Sequence, residues 1–304
     1  TLFEKNDKVG RKLAITGKGR CNVTNDCDRD TFLSNVPTNP RFLYSAMEAF
    51  PPAKIMDFFE SNGCALKVER GNRVFPVSDR SASILDTLRR VMDKAGVHVI
   101  TEGVCELLQQ EGRVVGVRTA HKTIYASWVI LATGGVSYPA TGSTGDGFAM
   151  VQQLGHRVIS PEGSLVPLVS DAFCGRMQGL SLRNVGIKLV NGKGKTLYKD
   201  FGELLFTHFG VSGPTALSAS AHLKGDGCKL LIDLKPALDE GKLNDRILRD
   251  LEMYQNRSME NALTDLLPRS MIPVVLRRLE IDPNLQANSL KKQQRRALVE
   301  LLKA

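Results

Sequence analysis

The sequence predicts an α/β protein of about two domains, with three textures along its 304 residues. Three observations carry that expectation. Helical and strand spacing alternate up to about residue 165. The apolar run "WVILA" (residues 128–132) ends in Thr133, Gly134 and Gly135, as expected of a strand buried on both faces of a parallel sheet. From about Val166 short strands take over, and from about Ala237 the pattern is helical only.

Taken in order, "TLFEKN" reads as the end of a buried strand closing on Glu4. "FLYSAMEAF" and "AKIMDFFESNG" have helical spacing, and "ALKVERGNRVFPVS" alternates around a turn as a hairpin does. "SASILDTLRRVMDKAG" is the clearest helix, with Ile84, Leu85, Leu88, Val91 and Met92 in one stripe and Gly96 at its C-terminal cap. "VHVI" is a strand, and "GVCELLQQ", "RVVGVRT" and "TIYAS" form a β-meander ahead of "WVILA". A helix then starts near Asp146, whose carboxylate suits an N-terminal turn. "LVPLVS", "VGIKLV", "KTLYKD", "ELLFTHFG" and "CKLLIDLKP" read as short strands, interrupted by a helix with Pro214 in its first turn. The remainder, from "LNDRILRDLEMYQ" to "SLKKQQRRALVELLKA", is helical.

Hydrophobic residues make up 42% and charged residues 24%, a composition able to bury a core. No apolar run is long enough for a membrane-spanning helix, and the first residues lack the apolar stretch of a secretory signal. The six cysteines are dispersed without a CxxC pair, which argues against zinc and fits a reducing cytoplasm. The net charge of +9 invites a nucleic-acid reading, but the excess is spread as +3, +4 and +2 over residues 1–165, 166–236 and 237–304.

The segment "GRKLAITGKGRCNVTN" is the exception, crowding Arg11, Lys12, Lys18 and Arg20 among Gly10, Gly17 and Gly19 without an acid. It matches neither GxxxxGK[ST] nor GxGxxG. Its glycines let a ligand approach the backbone, its cations suit a phosphate or a developing anion, and Asn22 can meet a heteroaromatic edge. The plain alternative is a basic surface turn. Cys21, among these cations, is a candidate low-pKa thiol, though a packed cysteine is the simpler reading. Glu4, at a strand end, is placed to bond a ribose hydroxyl, and "ILATGG" (residues 130–135) to bring backbone N–H groups to a nucleotide. His156 reads as a helix-end residue, Trp128 as core, and no Ser/His/Asp set assembles.

Together, "FEKNDKVGRKLAITGKGRCNVTN", "RVFPVSDRSASIL", "VILATGGVSYPATGSTGDGFAMVQQLGH" and "GELLFTHFGVSGPTALSAS" resemble the BaiN/YhiN-like flavoproteins over essentially the whole chain. The resemblance implies a bacterial FAD-dependent oxidoreductase, with NAD(P)H as a possible donor. The implied fold is a two-dinucleotide-binding-type flavin domain (residues 1–165, incomplete), with an inserted β-barrel-like subdomain (166–236) and a helical subdomain (237–304). Carried over, Glu4 meets the adenosine ribose. Arg11, Lys12, Gly17, Lys18, Gly19, Arg20, Cys21 and Asn22 line the flavin region, and Val104 touches the adenine side. Ala132, Thr133, Gly134 and Gly135 pass the cofactor, Ser137 and Tyr138 lie toward the substrate, and Asp146 and Gly147 start a helix by the same cleft. Relative to the family, the chain begins one strand after the GxGxxG unit and stops before the segment that closes the flavin pocket. The expectation is a fragment or a truncated relative that carries little FAD when purified alone.

The expected chemistry is hydride transfer through FAD to or from a small organic molecule, with Arg20 or Lys18 stabilising the charge that reduction places on the ring and Tyr138 as proton donor. Enone reduction, as for a bile-acid intermediate, and small-amine oxidation both fit. On this reading Arg20→Ala slows reduction more than it weakens binding. The rival readings are a non-catalytic nucleic-acid binder and a scaffold. The first would use Lys188, Lys193, Lys195 and Lys199, or Lys291, Lys292, Arg295 and Arg296. An aromatic content of 6% leaves few stacking platforms, so nucleic acid is the disfavoured partner.

Overall fold

In the computed structural model, which describes residues 1–170, 173–225 and 227–303, the chain forms two units, Thr1–Pro161 and Glu162–Ala304, each with its own hydrophobic clusters.

In the first unit β1 (Leu2–Phe3) leads through a turn into α1 (Arg11–Ile15) and a tight 3₁₀ turn over Thr16–Gly19. There follow β2 (Thr24–Asn25), α2 (Arg29–Ser34), α3 (Tyr44–Ala49), α4 (Pro52–Ser61), the hairpin β3 (Leu66–Glu69) and β4 (Arg73–Pro76), and α5 (Ser81–Lys94). β5 (Val99–Ile100) precedes the meander β6 (Val104–Gln110), β7 (Arg113–Thr119) and β8 (Thr123–Tyr125), and the unit closes with α6 (Asp146–Gln153). Local chemistry accounts for several boundaries. Asp28 caps α2 by accepting from the Thr31 N–H at 2.7 Å, and proline opens α4. The apolar stripe of α5 buries Ile84 against Phe59 of α4, with Cys21 and Cys64 in the same cluster. A second cluster sets Leu107 and Val117 of the meander against Met150 of α6, with Phe3 and Val104 packed on it. The ends of β1, β6 and α6 are thereby brought to one place.

One expected element is absent. Residues 126–138 form neither helix nor strand, and Trp128 and Ile130 are about nine-tenths exposed, at 89% and 91%. The parallel ladder of this unit consists of β1 and β5 alone, two residues each, paired Leu2 to Val99 and Phe3 to Ile100. A strand buried on both faces needs a paired edge and covering layers. That sheet gives residues 128–132 neither, so an apolar run that reads as core, Trp128 included, lies on the surface.

The second unit carries β9 (Leu168–Val169), β10 (Ser181–Val190), β11 (Thr196–Phe206), β12 (Gly210–Ser212), α7 (Pro214–Ser220) and β13 (Lys229–Asp233). α8 (Glu240–Met253), α9 (Met259–Ala262), α10 (Ile272–Arg278) and α11 (Lys292–Lys303) follow. The sheet is antiparallel in the order β13-β10-β11-β12-β9. "KTLYKD" and "ELLFTHFG" are not separate strands: Phe201 and Gly202 stay in the ladder opposite Gly186 and Val185, so one long β11 results. Val185, Ile187 and Leu204 of the sheet share a core with Leu243, Ile247, Leu276 and Leu298 of the helices. Each such buried aliphatic side chain contributes about 1.5–3 kcal/mol. Lys303 fastens α11 to β13 through Asp233 at 2.6 Å and the Leu238 carbonyl at 2.7 Å.

Candidate active site

The glycine-and-cation segment folds as α1 followed by a left-handed turn. Gly17, Lys18 and Gly19 have φ of 55°, 58° and 85°, and Cys21 has 63°. A side chain at Gly17 would place its Cβ 2.9 Å from the Asn22 nitrogen and from Phe75, so only glycine closes this turn. Lys18 holds the same left-handed geometry without that freedom and projects an exposed ammonium. Positive φ at a long side chain is a backbone outlier of the kind that collects at ligand sites.

After the turn the chain is tied to the β3–β4 hairpin. The Arg20 guanidinium lies 4.0 Å over the Phe75 ring and donates to Glu69 at 2.8 Å and Asp79 at 3.1 Å. Lys67 completes the network, 2.6 Å from Asp79 and 3.6 Å from Glu69. The hydrogen bond from Arg20 holds the Glu69 carboxyl below its usual range, and that from Lys67 does the same for Asp79. The Asn22 amide donates to the carbonyls of Val74 at 3.2 Å and Thr24 at 3.1 Å. Cys21 is not the cation-activated thiol that its neighbours suggested. Its side chain is 2% exposed among Phe59, Cys64 and Ile84, and burial pushes the thiol pKa up.

Before the turn the same segment is tied to the glycine-rich stretch that precedes α6. The Lys12 ammonium donates to the Ser137 carbonyl at 2.6 Å and to the Ser137 and Ser143 hydroxyls at 2.9 Å each, and it lies 5.9 Å from the centre of the Tyr138 ring. Glu4 Oε1 accepts from the Asn6 N–H at 2.9 Å and its amide at 2.7 Å; that amide also donates to the Thr141 carbonyl at 3.2 Å. Arg11 reaches the Asn6 oxygen at 3.2 Å. Lys5 donates to Asp146 at 2.6 Å and also to Thr144, whose hydroxyl donates to Asp146 at 2.7 Å; the bonds from Lys5 and from Thr144 hold the Asp146 carboxyl low.

The Thr-Gly-Gly bend rests on the start of α6. A Cβ at Gly134 would lie 3.2 Å from the Ser143 hydroxyl, and one at Gly147 only 2.2 Å from Thr133 Oγ1. Glu4, Arg11, Lys12, Thr133, Gly134, Ser137, Tyr138 and Asp146 are thus joined by direct contacts or one intermediary. Gly17, Lys18 and Gly19 continue from α1 of that assembly, and Val104 packs behind it with Phe3. Arg20, Cys21 and Asn22 face the hairpin and the α4–α5 cluster instead. Ala132 is exposed and Gly135 half-buried, and a Cβ at Gly135 would meet nothing within 4 Å.

Sequence reasoning missed Ser143, Lys5, Glu69 and Asp79. Ser143 had a signal, since it lies in the glycine-rich "TGSTGDG". The carboxylates had none, because Glu69 at the end of β3 and Asp79 just after β4 lie 49 and 59 residues beyond the Arg20 they hold.

These residues suit a flavin dinucleotide. Gly19 and Gly135 present open backbone, and Ile15, Val136 and Tyr138 expose apolar surface near the cations. Glu4 Oε2 accepts no hydrogen bond among the described residues, which leaves it for a hydroxyl.

Comparison with known proteins gives the same assignment. Residues 1–225 match the HI0933-like protein Rossmann domain, and residues 162–304 match the HI0933-like protein barrel and H2TH domain. A 3-dehydro-bile acid delta(4,6)-reductase of Clostridium scindens is 27% identical over 99% of this chain and 74% of its own length. Two proteins named ribosomal RNA dihydrouridine synthase are similar: that of Haemophilus influenzae at 26% identity (96% of this chain, 71% of the relative) and that of Escherichia coli at 27% (99% and 73%). The chain therefore belongs to the HI0933-like family and is an FAD-dependent oxidoreductase with a Rossmann-type domain and a barrel/H2TH domain.

Proposed function

We propose that the chain reduces a carbon–carbon double bond conjugated to a carbonyl group, with NAD(P)H as the ultimate donor. The relatives' names support this reading. A 3-dehydro-delta(4,6) steroid and the uracil base that becomes dihydrouridine both present an alkene conjugated to a carbonyl. FAD, when bound, supplies the hydride.

The residues of the chain would supply binding, charge and a proton. Glu4 Oε2 accepts from a ribose hydroxyl, and the open backbone of Gly19 and Gly135 admits the cofactor. Lys18, unpaired among the described residues, presents the charge of the turn, whereas Arg20, held by two carboxylates, keeps the turn in place. The Tyr138 hydroxyl delivers the proton that must accompany hydride addition. Its side chain is 69% exposed and its φ is 52°, and the Lys12 ammonium near its ring stabilises the phenolate left behind.

The observation that carries the proposal is the set of Lys12 bonds to Ser137 and Ser143, which joins the cation turn to the stretch around the Thr-Gly-Gly bend. The test is anaerobic stopped-flow oxidation of the NADPH-reduced, FAD-supplemented chain by a 3-oxo-Δ4,6 steroid. Tyr138→Phe should slow that step by about 10²-fold with little change in KM. Unchanged kinetics would remove Tyr138 as the donor, and no oxidation by any conjugated enone or uridine-containing RNA would refute the substrate class.

The names of the two dihydrouridine synthases support a second reading, in which the conjugated carbonyl is a uracil within RNA. Formation of dihydrouridine in ribosomal RNA, with a rate that falls steeply as salt rises, is the outcome that would select it.

A further inference from the structure

Within the second unit the five-stranded sheet stays open. Its terminal strands β9 and β13 both border a cavity of about 500 Å³. Helix α10 forms another wall. The interior is aliphatic and aromatic, with Leu189, Phe206, Val211, Met271 and Val275 among its lining residues. A cavity of this size accommodates a drug-sized ligand, and an apolar one gains little from holding water.

The charged groups of the lining are of one sign. Lys229 on β13 and Arg278 on α10 both border the cavity, both are exposed, and neither is in an ion pair or side-chain hydrogen bond among the described residues. No carboxylate among those residues lines it. An apolar chamber with two unpaired cations complements a ligand with a hydrocarbon body and one anionic head.

We propose that this cavity binds an anionic amphiphile of the long-chain carboxylate class, its chain among Leu189, Phe206 and Val275 and its head group on Lys229 and Arg278. The site lies wholly within residues 162–304 and is independent of the flavin reading. The guanidinium and ammonium hold the carboxylate by charge-assisted hydrogen bonds, and the chain is removed from water by the walls.

Calorimetric titration with dodecanoate below its micelle concentration tests this, with dodecan-1-ol and dodecyltrimethylammonium as matched probes. One saturable site for dodecanoate is expected, with the alcohol at least about tenfold weaker and the cation weaker still. Replacing both rim cations (Lys229→Ala with Arg278→Ala) should lower dodecanoate affinity about tenfold and leave the alcohol unchanged. Both positions are exposed, so thermal unfolding of this variant should match the parent and confirm that the loss is local. Equal affinity for the three probes, full retention of dodecanoate binding in the double variant, or no saturable binding of dodecanoate would each overturn the proposal.

Discussion

Lys12 and Ser143 lie 131 positions apart in sequence, yet the Lys12 ammonium donates to the Ser143 hydroxyl at 2.9 Å. Ser143 is 4% exposed and also borders Gly134, so this contact brings the glycine-and-cation turn and the Thr-Gly-Gly bend onto one surface. Had the two turns lain apart, the oxidoreductase reading would have lost its structural basis.

Lys12→Met should loosen that joint. The substitution keeps most of the aliphatic stem and removes three hydrogen bonds, leaving the buried Ser143 hydroxyl without its donor. Stability should fall by about 1 kcal/mol in urea unfolding, and fluorescence titration should show weaker FAD binding. An unchanged FAD affinity would show that the joint does not shape the cofactor site.

Arg20 is expected to act through position. If so, Glu69→Gln reproduces much of the effect of Arg20→Ala, because both release the turn from the hairpin. Both variants should weaken FAD binding severalfold and alter the flavin reduction rate to a similar degree. Slowed reduction in Arg20→Ala alone would return Arg20 to direct charge stabilisation of the ring.

The carboxylates around this turn imply a direction for the acid response. Glu69, Asp79 and Asp146 have folded-state pKa values below those of the unfolded chain, owing to Arg20, Lys67 and Lys5 respectively. Their contribution is complete above the unfolded values and is lost as pH falls through the folded ones, beginning below about pH 4.5. Unfolding midpoints measured from pH 7 to pH 3 should therefore fall on the acid side, and less steeply in Arg20→Ala. A parallel acid slope in the two proteins would exclude the network as its source.

Gly147→Ala should disturb the bend directly. The added Cβ would sit 2.2 Å from Thr133 Oγ1 and 3.3 Å from Leu131, a separation that forces the segment to move. Overpacking of this kind destabilises by about 1–3 kcal/mol. Pairing it with Thr133→Ser should relieve little, since the hydroxyl remains; pairing it with Thr133→Ala should restore most of the loss in thermal unfolding.

The sequence by itself determined most of the elements whose signals are local. The apolar stripe of α5, the alternation of β6 to β8, Asp146 at the head of α6 and Pro214 at the head of α7 are each specified by neighbours a few residues away. The quoted motifs also determined the family. Only the tertiary structure decided the fate of "WVILA", because an apolar run records a preference for burial but not whether a sheet edge is there to receive it. It likewise merged two expected strands into β11, buried Cys21, gave Arg20 its carboxylates and brought Ser143 to Lys12. Each depends on residues distant along the chain, whose meeting is set by packing and pairing that no local pattern encodes.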